Sequence, residues 1–210
     1  MINIKTKIHT ATFGLGWFWG PDAQFGRFAG VIRTRVGYAG GTKPNPTYRT
    51  IGDHTEILQI DFDPQTISFT ALLDLFWDYH DASAPAYSRQ YRSLILFADE
   101  EQKQQAIASK EKYEQMAQRK VYTAIEPLSE FNLAENYHQK YYLRQRSSLM
   151  RDLLKAYPTE SEFINATLSA RMNAFAAGLL DESLLQELIA NPILSQDTKQ
   201  RISGNQKRIH

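Results

Sequence analysis

The sequence predicts an α/β fold, a two-layer sandwich (ferredoxin-like) with a mixed β-sheet and a helical C-terminal extension. Three observations lead there. Short segments of alternating or continuous apolar residues recur up to Pro127, bounded by Gly, Pro, Asn and Asp turns. Between them lie stretches with the helical repeat, in the order strand, helix, strand, strand, helix, strand, helix, strand. From Ala134 onward the pattern is helical only.

His9–Leu15 reads as the first strand, stopped by Gly14 and Gly16. Pro21-Asp22 opens a helix to about Phe28, with Phe25 and Phe28 spaced for one face. Val31–Tyr38 is a strand closed by Gly40-Gly41, and Thr42–His54, with Pro44, Asn45 and Pro46, is a long loop. Glu56–Phe62 alternates and ends at the Asp63-Pro64 turn. Ser68 caps a helix from Phe69 to Tyr79 whose apolar face is Leu72, Leu73, Leu75, Phe76 and Tyr79. Asp81–Arg89 is a loop, Ser93–Phe97 a strand, and Asp99 caps a long charged helix to about Arg119. Val121–Pro127 is the last predicted strand. Helices follow at Ala134–Tyr142, Leu149–Lys155, Glu160–Gly178 and Glu182–Ala190. Phe163, Leu168, Met172 and Phe175 form a stripe to be buried, whereas Lys199–His210 reads as a solvated, frayed tail.

The 210 residues are 42% hydrophobic and 22% charged, which suffices for a core. A net charge of +1, from 24 basic and 23 acidic residues, gives no general field toward nucleic acid or anionic membrane. There is no long apolar run to span a bilayer, and the first residues carry no apolar signal-peptide core, so the expectation is a cytoplasmic protein. The cysteine count is zero. That excludes disulfides, thiolate metal sites and every mechanism that needs a thiol of this chain.

The densest motif is Gly14-Leu15-Gly16-Trp17-Phe18-Trp19-Gly20, between a strand and a helix. Glycines there suit a dinucleotide loop, but three bulky aromatics obstruct close approach to a pyrophosphate, and the next strand ends without an acidic residue for a ribose. His54 and Glu56 put two potential metal ligands on one strand face, with no evident third, so no metal and no cofactor is expected.

Read in order, Gly16, Phe18, Trp19 and Gly20; Gly37-Tyr38-Ala39-Gly40-Gly41; Pro44-Asn45-Pro46-Thr47-Tyr48; His54-Thr55-Glu56; Phe62-Asp63-Pro64; Phe76-Trp77; His80-Asp81; Gln90-Tyr91-Arg92-Ser93; and Ala134-Glu135-Asn136-Tyr137-His138-Gln139 resemble the A-type peptide methionine sulfoxide reductases. The resemblance covers about residues 8–145, which implies a reductase-like domain over 1–145 and a helical extension over 146–210 packed on it. It implies reduction of methionine-(S)-sulfoxide, free or in proteins, by a thiol nucleophile, with thioredoxin as reductant. It also implies Glu56 as the proton donor, Tyr38 and Tyr91 as hydrogen-bond donors around the sulfoxide oxygen, and Phe18 and Trp19 as the apolar wall for the substrate methyl group.

The departures bear on function. Trp17 stands where the family's cysteine belongs, and an indole is no nucleophile at neutral pH. Ala86 occupies the place of a family aspartate, Tyr87 that of a histidine, and there is no resolving cysteine. Three readings follow: a pseudoenzyme with its pocket retained, a selenocysteine codon UGA printed as Trp under a variant code, or an engineered or mis-sequenced chain. The loss at Ala86 and Tyr87 favours the first, since a one-codon artefact leaves the rest of a site intact. Thioredoxin is then a partner only if a thiol or selenol is present. The alternatives to an enzyme are a binding module for a methionine-like ligand, and a structural interaction protein whose pocket Trp17 has plugged.

Overall fold

Alternation of apolar side chains builds the sheet. In a computed structural model of the chain, which describes residues 7–179 and 181–204, six strands form among the described residues. They are β1 (His9–Leu15), β2 (Val31–Ala39), β3 (Thr55–Phe62), β4 (Ser93–Phe97), β5 (Ala124–Pro127) and β6 (Phe131–Leu133). The order is β5-β4-β1-β3-β2-β6; β4 and β5 run parallel and the other neighbours antiparallel, so the sheet is mixed. Successive strand side chains point to opposite faces. Ala11, Phe13 and Leu15, Val36 and Tyr38, and Leu58, Ile60 and Phe62 therefore share one buried face, covered by Phe25 of α1 (Trp19–Gly26) and by Leu72, Leu73 and Phe76 of α2 (Phe69–Asp78). Each such large side chain taken from water stabilises by about 1.5–3 kcal/mol. Ala39, Ile57, Leu94 and Leu96 pack on the other face. Asp99 caps α3 (Glu100–Ala117) through the Gln102 N–H, and α3 meets α2 where Trp77 stacks on Tyr113 at 4.9 Å.

The C-terminal helices are α4 (Tyr141–Arg144), α5 (Ser147–Ala156), α6 (Glu160–Asn165), α7 (Thr167–Ala176), α8 (Glu182–Ala190) and α9 (Gln196–Ser203). They enclose a second apolar cluster that includes Leu153, Phe163, Leu168, Met172, Phe175 and Leu185. Helix α7 lies close on α1: a Cβ on Gly26 would stand 2.7 Å from the Ala170 carbonyl oxygen, so only glycine permits this approach. The buried Arg171 donates to the carbonyl oxygens of Gly26 and Val31, joining α7 to the end of α1 and the start of β2.

Five expectations are corrected by the structure. Helix α1 begins at Trp19, not Pro21, because the Phe18 carbonyl already accepts the Asp22 N–H; Pro21 sits in the first turn, where its missing N–H has no helical partner to lose. The last predicted strand is paired only from Ala124, and β6 was not foreseen; three edge residues with one exposed side chain, Leu133, give no readable alternation. Ala134–Tyr142 is not one helix. Gln139 turns inward, its amide pairing with both the N–H and the C=O of Val36, and Lys140 takes a left-handed φ of 54°. Glu160–Gly178 breaks at Ala166, where Thr167 donates to the Ile32 carbonyl and Arg33 donates to Asn165. The tail expected to fray is ordered helix as far as Ser203, with a Ser195 cap and Ile202 fully buried; residues 205–210 lie outside the described residues. The N-terminal reading likewise falls partly outside them, at residues 1–6.

Candidate functional site

The C-terminal ends of β1 and β2 and the N-terminal ends of β3 and β4 meet at one edge of the sheet, as antiparallel pairing requires. There the chain leaves β1 through Gly16, whose φ of +83° is the left-handed region that a side chain resists. The turn throws Trp17 outward, 61% exposed, and Phe18 inward, 2% exposed, before Trp19 starts α1. Glu56, the second residue of β3, lies directly opposite Tyr38 in the register, so both project onto the helix-covered face. Short 3-10 turns at Tyr48–Thr50 and Arg89–Tyr91 bring in two more rings.

Trp17, Phe18, Trp19, Tyr48, Glu56 and Tyr91 enclose a hollow of about 20 Å³, room for about one water molecule. Trp17 meets Trp19 edge-on at 5.6 Å and Tyr91 at 6.1 Å. Trp19 is held in turn by Tyr141, stacked at 3.8 Å, and by His138, whose Nδ1 accepts from the Trp19 indole N–H at 3.1 Å. Burial pushes the His138 imidazolium toward the neutral form, against the opposing pull of Glu135.

Glu56 is buried with both oxygens engaged: the Gln90 amide donates to Oε1 at 2.8 Å and the Phe18 N–H to Oε2 at 3.2 Å. Its pKa is raised by burial, with the two hydrogen bonds pulling the other way. The carboxylate thus takes the backbone donor next to the start of α1 that a phosphate would need in a dinucleotide loop. Tyr91 interacts through its hydroxyl with Tyr48 and the Trp17 indole; burial, then the charge of Glu56, pushes its pKa up to about 12.

Of the residues expected from the sequence, Trp17, Phe18, Trp19, Glu56 and Tyr91 come together. Tyr38 stands apart from the hollow's lining: fully buried, it donates its proton to Glu135 at 2.8 Å, and burial together with that bond raises its pKa. Gln90 and the Phe18 N–H supply the hydrogen bonds to Glu56. Ala86 and Tyr87 lie exposed on the loop before the site, Tyr87 at 97%. Tyr48, Gln90, Glu135, His138 and Tyr141 were not singled out, although the first four lie in motifs that the resemblance quoted. No group of three or more His, Cys, Asp or Glu side chains placed to hold a metal ion occurs among the described residues. His54 bonds through Nε2 with the Lys43 carbonyl instead.

The loop carrying Tyr48 is fastened by Asp53, which accepts from the Thr42 N–H and hydroxyl and from the Lys43 N–H. These bonds hold the Asp53 carboxyl well below its ordinary 3.8. A carboxylate with a depressed folded-state pKa stabilises above the unfolded value and loses that contribution as pH falls below it. Protection of the Thr42 and Lys43 amides from hydrogen exchange, after correction for the intrinsic rate, is therefore expected to hold above pH 3.8 and decline below it. Asp53→Ala should abolish that protection already at pH 7.

Residues 9–171 match the family model described as peptide methionine sulfoxide reductase. The chain is 47% identical over 180 residues to a Drosophila melanogaster peptide methionine sulfoxide reductase, covering 84% of this chain and 72% of the relative. It is 44% identical over 152 residues to the peptide methionine sulfoxide reductase MsrA of Methanoculleus marisnigri, covering 67% of this chain and 93% of the relative. The solved methionine sulfoxide reductase A of Corynebacterium diphtheriae superposes with a TM-score of 0.60 at 30% identity, over 70% of this chain and 78% of that one. The chain belongs to the peptide methionine sulfoxide reductase family.

Proposed function

We propose that this chain is a non-reducing member of its family, which holds a methionine-like side chain of a peptide or protein without turning it over. One observation carries the reading: in a chain with no cysteine, an indole occupies the mouth of the aromatic hollow over Glu56. In this reading Trp17 stands in the nucleophile's position, Phe18 and Trp19 form the apolar wall, Glu56 is the acid and Tyr91 a donor beside it. Tyr38 acts through Glu135, to which its hydroxyl is tied.

Sulfoxide reduction needs a group that takes oxygen from sulfur. A thiolate does this by becoming a sulfenic acid, and no side chain here offers an equivalent. Thioredoxin, which reduces such an oxidised thiol in the family, has no thiol of this chain to act on; it becomes a partner only if position 17 carries sulfur or selenium in the organism. The ferredoxin-like two-layer arrangement is part of the same reading, supported by the central order β4-β1-β3-β2. So is the division into a reductase-like domain over 1–145 and an extension over 146–210, supported by the separate apolar cluster of the C-terminal helices. A cytoplasmic location rests on composition; no helix among the described residues is long and apolar enough to cross a membrane.

The test is a reduction assay on a methionine-(S)-sulfoxide peptide with excess dithiothreitol, following methionine by mass. No methionine above the protein-free rate is expected. Multiple turnovers by a chain verified to contain Trp17 would refute the reading.

A further inference from the structure

We propose that Trp17 makes this hollow a binding site for a methylated onium group, a sulfonium or a quaternary ammonium carried on a small molecule or a side chain. The proposal deepens the reading above and rests on it: the pocket must bind without reducing.

The walls are the first argument. Five aromatic rings and one carboxylate line the hollow, and no cationic side chain does. Ring faces carry partial negative charge and attract cations, most strongly tryptophan, and a methylated onium spreads its charge over methyl groups that fit against several rings at once. Trp17 stands at 76° to Trp19 and 45° to Tyr91, so the rings meet as walls of a cage rather than as a stack. With cysteine at position 17 this side would lack its ring; the substitution that removes the nucleophile supplies the wall.

The polar groups are the second argument. The Phe18 N–H and the Gln90 amide donate to the two Glu56 oxygens, which fixes a carboxyl group against the hollow where a cation would rest. Behind Tyr48, Glu135 takes that residue's own backbone N–H, placing a second carboxylate near the cage. Two nearby guanidiniums are directed elsewhere, Arg89 to the carbonyls of Asp53 and Gly40 and Arg92 to Glu126, while Arg49, next to Tyr48, acts on Tyr137. The partial positive charge at the start of α1 is met by Glu56 on the Phe18 N–H.

The third argument concerns entry. A hollow of about 20 Å³ does not admit a trimethylated head, so one wall must move. Trp17 is the more exposed of the two exposed walls, 61% against 41% for Tyr48, while Trp19 is fixed by Tyr141 and His138. Rotation of Trp17 outward and back over the ligand opens and completes the cage.

Tryptophan fluorescence and calorimetry on the full chain test this with S-methylmethionine and choline as cations. The uncharged probes are 3,3-dimethylbutanol, the carbon isostere of choline, and methionine sulfoxide. At least one cation is expected to bind about tenfold or more tightly than the isostere, and which of the two binds better identifies the sulfonium or ammonium source. Trp17→Ala should weaken that binding about tenfold and Trp17→Phe less, both with unchanged circular dichroism, whereas Glu56→Gln should weaken it several-fold. Equal affinity for choline and its isostere would overturn the cage while leaving a non-reducing pocket standing. Binding that Trp17→Ala leaves unchanged would overturn the cage as well. Silence toward every probe, methionine sulfoxide included, would overturn both the cage and the pocket on which it rests.

Discussion

Trp17→Cys is expected to reduce methionine-(S)-sulfoxide, which the Trp17 chain, on the proposed reading, does not. The new thiol would sit two residues before α1, where the helix N-terminus favours a thiolate, and the smaller side chain would open the hollow over Glu56. The step balances without another reactant. The cysteine sulfur bonds to the sulfoxide oxygen as the S–O bond of the substrate breaks, and the proton given up by the thiol returns to that oxygen by way of Glu56, leaving a thioether and a cysteine sulfenic acid. About one equivalent of methionine per chain should therefore appear without reductant, and repeated turnover with dithiothreitol. In a serine protease, loss of the nucleophile costs on the order of 10⁶ in rate. Because Ala86 and Tyr87 remain as departures, a gain of at least about 10³ over the Trp17 chain is the expected scale, read as methionine released by mass. A folded but silent Trp17→Cys chain would mean that the acid and the methyl wall have been lost along with the nucleophile.

Asp22→Ala is expected to cause the largest loss of stability. Asp22 and Lys140 are both fully buried and paired at 2.9 Å. Asp22 also accepts from the Thr34 hydroxyl, the Lys140 N–H and the Asn173 amide. One carboxylate therefore joins the first turn of α1 to β2, to the segment entering α4, and to α7. Burial already pushes the Lys140 ammonium toward deprotonation, with Asp22 opposing it. Removing Asp22 leaves a buried cation without its counter-charge, a loss of about 3–5 kcal/mol by analogy with other broken buried pairs. At about 2–4 °C per kcal/mol for a chain of this size, the melting temperature should fall by roughly 6–20 °C. The double variant Asp22→Leu/Lys140→Met should recover much of that loss, because two apolar groups replace two desolvated charges. Denaturant unfolding of both variants checks the pair, and a loss under 1 kcal/mol for Asp22→Ala would contradict this role.

What was legible in the sequence followed from local rules. His9–Leu15 and Glu56–Phe62 are short apolar-rich segments closed by turn formers, β3 being buried on both faces, and Ser68 and Asp99 cap helices by chemistry internal to one turn. The cluster of Trp17, Phe18, Trp19, Glu56 and Tyr91 was reached through the order of motifs, not through spacing, since the turns that unite them are far apart in the chain. What stayed hidden depends on long-range polar contacts. Gln139 and Lys140 read as helix by composition, and bonds to the Val36 backbone, Thr34 and Asp22 pull them out of it. The break at Ala166 likewise needs β2, whose carbonyl at Ile32 receives Thr167. The resemblance implies Tyr38 as a donor in the pocket, and it does face Glu56 across the strands, but the proton of its hydroxyl goes to Glu135, 97 residues further on.

The central claim is that position 17 holds an indole in the working protein. Intact-mass analysis of the protein from its native source, with peptide mapping across Gly14–Gly20, tests it directly. A peptide carrying Trp17 is the expected result, and the mass of cysteine or selenocysteine at that position would contradict the account.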